Sequence, residues 1–220
     1  MSDTLTAVLL PFGQTAGGRM VQVSEVERGL ACGCVCPQCG KPLIARKGDV
    51  LVHHFAHAAD SDCKGAVESA LHKMAKQILC DQKQVRVPDA IAEYQHTRQH
   101  VLGTRTYVAH ECFPERSFGQ IKPDVFFEGG GSPLAIEVYV THRVSDEKRL
   151  LLSMQKFNSV EIEMAKWIGC DNVETIAAAV LWTAPRHWLH HDGIARAVTR
   201  MRDIATGNIP PAQTKFWDRP

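Results

Sequence analysis

From Leu71 onward, apolar residues recur at Leu71, Met74, Ala75, Ile78 and Leu79, the i, i+3, i+4, i+7, i+8 stripe of an amphipathic helix. The pattern before it has a different period. LIARKGDVLVHHF (residues 43–55) alternates around a Lys47-Gly48-Asp49 turn and predicts a hairpin. Residues 5 to 35 carry short β-like runs (TAVLL, RMVQV), a Gly17-Gly18 turn and a brief helical stretch after Ser24. After the helix, QVRVPDAIAEY and TYVAHECF read as strands flanking a polar stretch around residues 95 to 105. IKPDVFF and LAIEVYV read as two strands joined by the Gly-rich EGGGSP, with Pro123 at the strand entrance, where a missing N–H does least harm.

SDEKRLLLSMQKF predicts a helix with Ser145 as N-cap and Asp146 and Glu147 facing the positive end of its dipole. VEIEM is a short alternating strand, VETIAAAVL a further helix, RHWLHH a helix or loop, and residues 193 to 204 a last helix before a Pro-containing tail ending KFWDRP. The order from residue 66 to 181 is helix, strands, helix, strand, helix, which predicts a mixed α/β fold of the α+β, mixed-sheet kind.

Composition narrows the class. A chain of 220 residues with 45% apolar and 22% charged residues is ordinary globular protein, long enough for one sizeable core plus a small module. Its apolar runs are far shorter than a membrane span, and the start lacks the basic region of a signal peptide, so the expectation is a cytoplasmic protein with no membrane partner. The formal net charge is +1, so nucleic-acid binding must rely on local patches.

Four of the eight cysteines (Cys32, Cys34, Cys36, Cys39) crowd into one segment beside histidines, a pattern that favours metal over disulfides. Cys36-Pro-Gln-Cys39-Gly40 has knuckle spacing: two thiolates two residues apart, with Gly40 letting the backbone turn beneath them. Structural zinc needs four ligands, and His54, His57 and Cys63 are candidates for the second pair. The competing reading makes Cys36 and Cys39 small buried hydrophobes.

Asp124 precedes one strand and Glu137 lies in the next, where adjacent antiparallel strands can bring two carboxylates together as hard ligands for Mg²⁺. Glu137 interrupts the otherwise apolar LAIEVYV, and a buried carboxylate needs a partner or a cation. Glu68, His72 and Lys76 follow at four-residue steps along the margin of the first helix's stripe, positioned to point into a cleft beside the sheet. Taken alone, that row also fits a solvated helix face.

The ordered set CPQCGKPLIARKG, HHFAH, ESALHKMAK, KPDV, IEVYVTHRVSDEKR and VEIEM closely resembles the competence-protein CoiA-like family over roughly residues 20 to 165. The resemblance implies a zinc-ribbon-like element at residues 1–64, a nuclease domain of the PD-(D/E)xK, restriction-endonuclease-like superfamily at 65–182, and a C-terminal helical extension and tail at 183–220. It further implies that Glu68 is a helix-borne acid, Asp124 the acid of the PD motif and Glu137 the second acid, with His72 in the same cleft. These would hold Mg²⁺ or Mn²⁺ and act on DNA, beside a structural zinc; a homo-oligomer is compatible with this reading.

One position departs from the motif. Two residues after Glu137, where the motif has lysine, stands Tyr139, which brings no positive charge at neutral pH. Lys76 and Lys148 are the candidate replacements, with Lys76 preferred because it shares a row with Glu68. The alternative function is a catalytically impaired nucleic-acid-binding or interaction module that keeps the nuclease fold. A zinc-stabilised partner-binding protein is the third reading. His187, His190 and His191 are expected to pack on the domain.

Overall fold

The computed structural model describes residues 9–59, 63–155 and 157–208. The start of TAVLL and the KFWDRP tail lie outside them. The elements are β1 (Phe12–Gln14), β2 (Met20–Gln22), β3 (Leu43–Arg46), β4 (His54–His57), α1 (Ala66–Gln82), β5 (Gln84–Val87), β6 (Ala90–Tyr94), β7 (Thr97–Leu102), β8 (Arg105–Val108), β9 (Glu111–Pro114), β10 (Val125–Glu128), β11 (Leu134–Tyr139), α2 (Asp146–Ser153), β12 (Asn158–Glu163), α3 (Val173–Ala178), β13 (Arg186–His190) and α4 (Asp192–Ala205). The fold is mixed α/β: a five-stranded sheet in the order β13-β12-β11-β10-β9, with two-stranded ladders β1-β2, β3-β4, β5-β8 and β6-β7 around it.

Within the sheet, β11 and β12 run parallel and are joined through α2, whereas the other pairs are antiparallel. A parallel pair requires such a crossover, while the antiparallel β10 and β11 are joined by the short Gly-rich connection. Glycine is needed in that connection because a Cβ on Gly130 would come within 1.7 Å of the Val108 carbonyl oxygen.

Alternation along the strands gives the sheet two apolar faces. Val125, Phe127, Leu134, Ile136, Val138, Val160 and Ile162 join the larger core, together with Leu71, Met74, Ala75, Ile78 and Leu79 of α1. Every member of the predicted helical stripe is therefore buried. Phe126, Ala135 and Leu189 face the other way, against Leu152 of α2. The larger core also runs without a break into Phe12, Leu43 and Phe55 of the N-terminal hairpins. Burial of Glu137 and Glu161 on the α2 side follows from the same alternation, since they sit between Ala135 or Ser159 and the outer end of the sheet.

One expectation is corrected. RHWLHH is the edge strand β13, not a helix or loop; Trp188 donates its indole N–H to the Pro88 carbonyl at 3.2 Å, His190 meets Asp192 at 2.9 Å, and His191 caps α4 by accepting from the Ile194 amide at 3.2 Å. The polar stretch near residue 100 is the outward strand β7, whose first four residues are exposed and so carry no apolar alternation. A disulfide also joins Cys80 of α1 to Cys112 of β9, whose Cα atoms lie 5.2 Å apart, within the usual range for such a bridge.

Candidate functional site

The N-terminal centre is built by one hairpin and one loop. β3 and β4 pair from Leu43↔His57 to Arg46↔His54, which brings His57 to the open end of the hairpin. Gly40 adopts φ +70°, and its amide donates to the Cys36 carbonyl at 2.9 Å, closing the knuckle turn. Ligand atoms of Cys36, Cys39, His57 and Cys63 all lie within 4.8 Å of one another. Cys36 Sγ and Cys63 Sγ are 3.8 Å apart, the edge of a tetrahedron with Zn–S bonds of about 2.3 Å. Cys39 Sγ approaches His57 Nε2 at 3.3 Å.

The electrostatics suit a cation. A hydrogen bond from the Lys41 backbone, with help from His57, lowers the Cys39 thiol to about 6, while burial and the neighbouring Cys39 and Cys36 push Cys63 up to about 12. Three thiols this close resist common ionisation unless a positive ion joins them. This Cys3His set can hold zinc. His54 is the fifth candidate and stays outside the cluster, with Nδ1 turned to the Val52 carbonyl at 2.8 Å. Cys32 and Cys34 also stay outside, directed at the carbonyls of Leu43 and Cys32.

The second centre is a cleft of about 430 Å³ between α1, the ends of β10 and β11, and α2. Asp124 stands just before β10. Its Oδ2 accepts from His72 Nε2 at 3.0 Å and from the Val138 amide at 2.9 Å, and its Oδ1 lies 3.9 Å from Lys76 Nζ. Glu137 is 3% exposed; its Oε2 accepts from Lys148 Nζ at 2.8 Å, and its Oε1 is buried with no hydrogen-bond partner among the described residues. Glu68 accepts from the Thr141 hydroxyl at the rim. The structure thus brings Glu68, His72, Asp124, Glu137 and Lys148 to one cavity.

Lys76 occupies a different place from the one its helical row suggests. It is buried along its stem, donates to Glu115 Oε1 at 2.7 Å and does not line the cleft that holds Glu137. Lys148 reaches Glu137 because Ser145 caps α2, its Oγ accepting from the Lys148 amide at 3.2 Å and aiming the first turn at the end of β11.

Their surroundings push the two acids in opposite directions. Burial, followed by repulsion from Asp124, raises Glu137 to about 8 despite Lys148. Burial also opposes ionisation of Asp124, but the His72 hydrogen bond and charge, the Val138 amide and Lys76 together hold it below its ordinary value. A buried carboxylate oxygen without a partner, beside a second carboxylate, is a donor set that fits a hard divalent cation.

Residues beyond the sequence reading complete the walls. Glu161 is 1% exposed and accepts from the Val144 amide at 2.8 Å and from Arg143 at 3.1 Å. Arg143 also donates to Glu163 at 2.7 Å and lies over the Tyr139 ring, 4.6 Å from its centroid. Glu161 interrupts an apolar strand as Glu137 does, so the same signal was available in VEIEM. Glu115 gave no such signal: it lies in an exposed turn, and one of its two lysine partners, Lys76, is far away in sequence.

Residues 24–66 match the family model of the competence protein CoiA N-terminal domain. The matched segment contains all four Cys3His ligands and ends at the start of α1. No curated protein and no solved structure matches the chain. Among the described residues, no helix is long and apolar enough to cross a membrane.

Proposed function

We propose that the chain is a divalent-cation-dependent nuclease that hydrolyses phosphodiester bonds in DNA, with a restriction-endonuclease-like core at residues 65–182 and a zinc-held module at 1–64. The carrying observation is the buried carboxylate pair: Asp124 and Glu137 lie together, with Glu137 Oε1 unpartnered and Lys148 at 2.8 Å from Oε2. Asp124 Oδ1 and Glu137 Oε1 are the oxygens that would hold Mg²⁺ or Mn²⁺. When bound, such an ion supplies Lewis-acid polarisation of a phosphoryl oxygen and lowers the pKa of water.

The chain's own groups do the rest. His72 and the Val138 amide occupy Asp124 Oδ2, and Oδ1 lies 3.9 Å from Lys76 Nζ. Lys148 takes the part of the missing motif lysine: its ammonium stands beside Glu137 and offers positive charge to a phosphoryl oxygen as negative charge grows there. Glu68, held by Thr141 and near His142, accepts hydrogen bonds at the outer rim and orients a water. Zinc at Cys36, Cys39, His57 and Cys63 fastens the module whose core continues onto α1.

The test is cleavage of linear, circular and single-stranded DNA in Mg²⁺ or Mn²⁺, with Asp124→Ala and Glu137→Ala in parallel. The expected result is cleavage by the natural chain and loss of it in both variants. Cleavage surviving both substitutions defeats the assigned site.

One observation favours a second reading, a binding module with impaired catalysis. Tyr139 stands at the motif-lysine position and is covered by Arg143, itself held by two carboxylates. DNA binding without cleavage in either metal would select it.

A further inference from the structure

The cleft continues past Asp124. A second depression of about 330 Å³, lined by neither Glu137 nor Lys148, shares Ser69, His72 and Asp124 with the first, so the two adjoin at Asp124. Lys73 and Lys76 of α1 and Lys122 from the loop before β10 line it, together with Pro37 and Gln38, the two residues between the knuckle cysteines. Lys76 and Lys122 each donate to Glu115 at 2.7 Å, on separate oxygens, and Lys73 donates to the neutral Gln14 side chain at 2.9 Å. Three ammonium groups thus share one nearby counter-ion apart from Asp124. In a chain of formal net charge +1, this is a local excess of positive charge beside the candidate scissile centre.

We propose that this second depression is a phosphate track, in which Lys73, Lys76 and Lys122 hold the DNA backbone flanking the scissile phosphate and the Pro37-Gln38 segment forms part of the wall. The proposal rests on the nuclease reading of Asp124 and Glu137 for its direction. Its chemistry is that of any phosphodiester strand: ammonium groups at the spacing of a surface groove neutralise backbone charge without reading bases.

Glu115 acts as the resident counter-ion. Its backbone is in the left-handed region, φ +53°, and its amide donates to the Asp124 carbonyl at 3.1 Å, so its carboxylate is held over the lysines beside the acid. An incoming phosphate replaces it as the partner of Lys76 and Lys122. The wall is fixed as well: the Ser69 hydroxyl donates to Gln38 Oε1, fastening the knuckle to α1 one turn before His72 and Lys73. The zinc-held knuckle thereby shapes substrate contact as well as the N-terminal fold.

Fluorescence anisotropy with a short labelled duplex and its single strand, in Ca²⁺ in place of Mg²⁺ and over a range of salt, tests the track. Lys73→Ala/Lys122→Ala is compared with Lys166→Ala/Arg200→Ala, which removes the same charge elsewhere, and with Glu115→Gln. The lysine pair is expected to weaken binding about tenfold at moderate salt and to reduce the slope of log K against log salt by roughly 1.5 to 2, about 0.9 per lost phosphate contact. Glu115→Gln is expected to tighten binding. Should the double variant misfold by circular dichroism, Lys122→Ala alone, at a side chain 55% exposed, carries the test with roughly half the slope change. Affinity and slope equal to the charge-matched control overturn the track; if Asp124→Ala still abolishes cleavage, the nuclease reading survives that failure. A reduced slope without cleavage by the natural chain supports the track and ends the nuclease reading, and absence of binding by the natural chain ends both.

Discussion

Lys148 and Lys76 show how one side chain's address decides its role. Lys148 Nζ is 2.8 Å from Glu137, whereas Lys76 is held by Glu115 and lies 3.9 Å from Asp124. Under the nuclease reading, Lys148→Ala lowers kcat on the order of 10² to 10³-fold, the scale of losing one group that stabilises transition-state charge. Lys76→Ala acts more on KM. Steady-state cleavage of the two variants measures the split, and a kcat loss confined to Lys76→Ala rejects the assignment. Glu137 makes a separate pH prediction. Its folded value of about 8 stands above an ordinary 4.5, so the folded state binds the extra proton between those values. Stability of the cation-free protein from this group is therefore full below about 4.5 and declines as pH rises towards 8. Thermal melts of natural chain minus Glu137→Gln isolate it: the variant gains relative stability from pH 5 to 8.5, by roughly the free energy of the linked proton. Asp124, held low, contributes in the opposite sense and at acid pH, where its support is lost as pH falls. A pH-independent difference between the two proteins removes the raised carboxyl from the account.

Elements were legible to the extent that burial imposed a period. The stripe of α1 is buried residue by residue, and the Ser145 cap and acidic first turn of α2 are those its sequence announces. β7 was not legible because its outer residues face solvent, and β13 because alternating His, Trp and Leu fit a half-buried strand and a helix equally. Strand order was beyond reach, since β11 pairs with β12 across a helix and β13 joins from still further along the chain. The same division holds at the site. Glu137 could be found as a carboxylate inside an apolar run, but the lysine that meets it depends on where α2 starts. That dependence is testable through the cap. Ser145→Ala removes the acceptor of the Lys148 amide and is expected to cost about 1 kcal/mol of stability. If the cap also aims Lys148, cleavage falls further than the stability loss explains when both proteins are measured well below their melting temperatures. An equal rate for the folded variant separates the cap from the site.

At the scale of the whole molecule, the Cys3His module and the sheet share one core. Phe12, Leu43, Phe55 and Cys36 belong to the same buried cluster as Leu71, Leu79, Val125 and Ile136. An N-terminal module of this size has little core of its own, and ligand binding supplies folding free energy that the shared core passes to α1. Zinc loss is therefore expected to lower the melting temperature of the entire chain in one transition, instead of releasing the hairpins alone. Cys39→Ser and Cys63→Ser are the informative variants, because Cys39 is exposed and Cys63 half-buried, so neither replacement opens a large cavity. Metal analysis should find zinc occupancy strongly reduced in both, and calorimetry a single transition shifted downward by several degrees. Because α1 carries His72 against Asp124, the same variants should also bind Mg²⁺ more weakly at the distant acids, read by the Mg²⁺-dependent rise in melting temperature. Full zinc occupancy in both variants refutes the Cys3His centre. Reduced zinc with an unchanged main transition instead shows that the hairpins unfold apart from the sheet, and that the continuous apolar contact does not couple them.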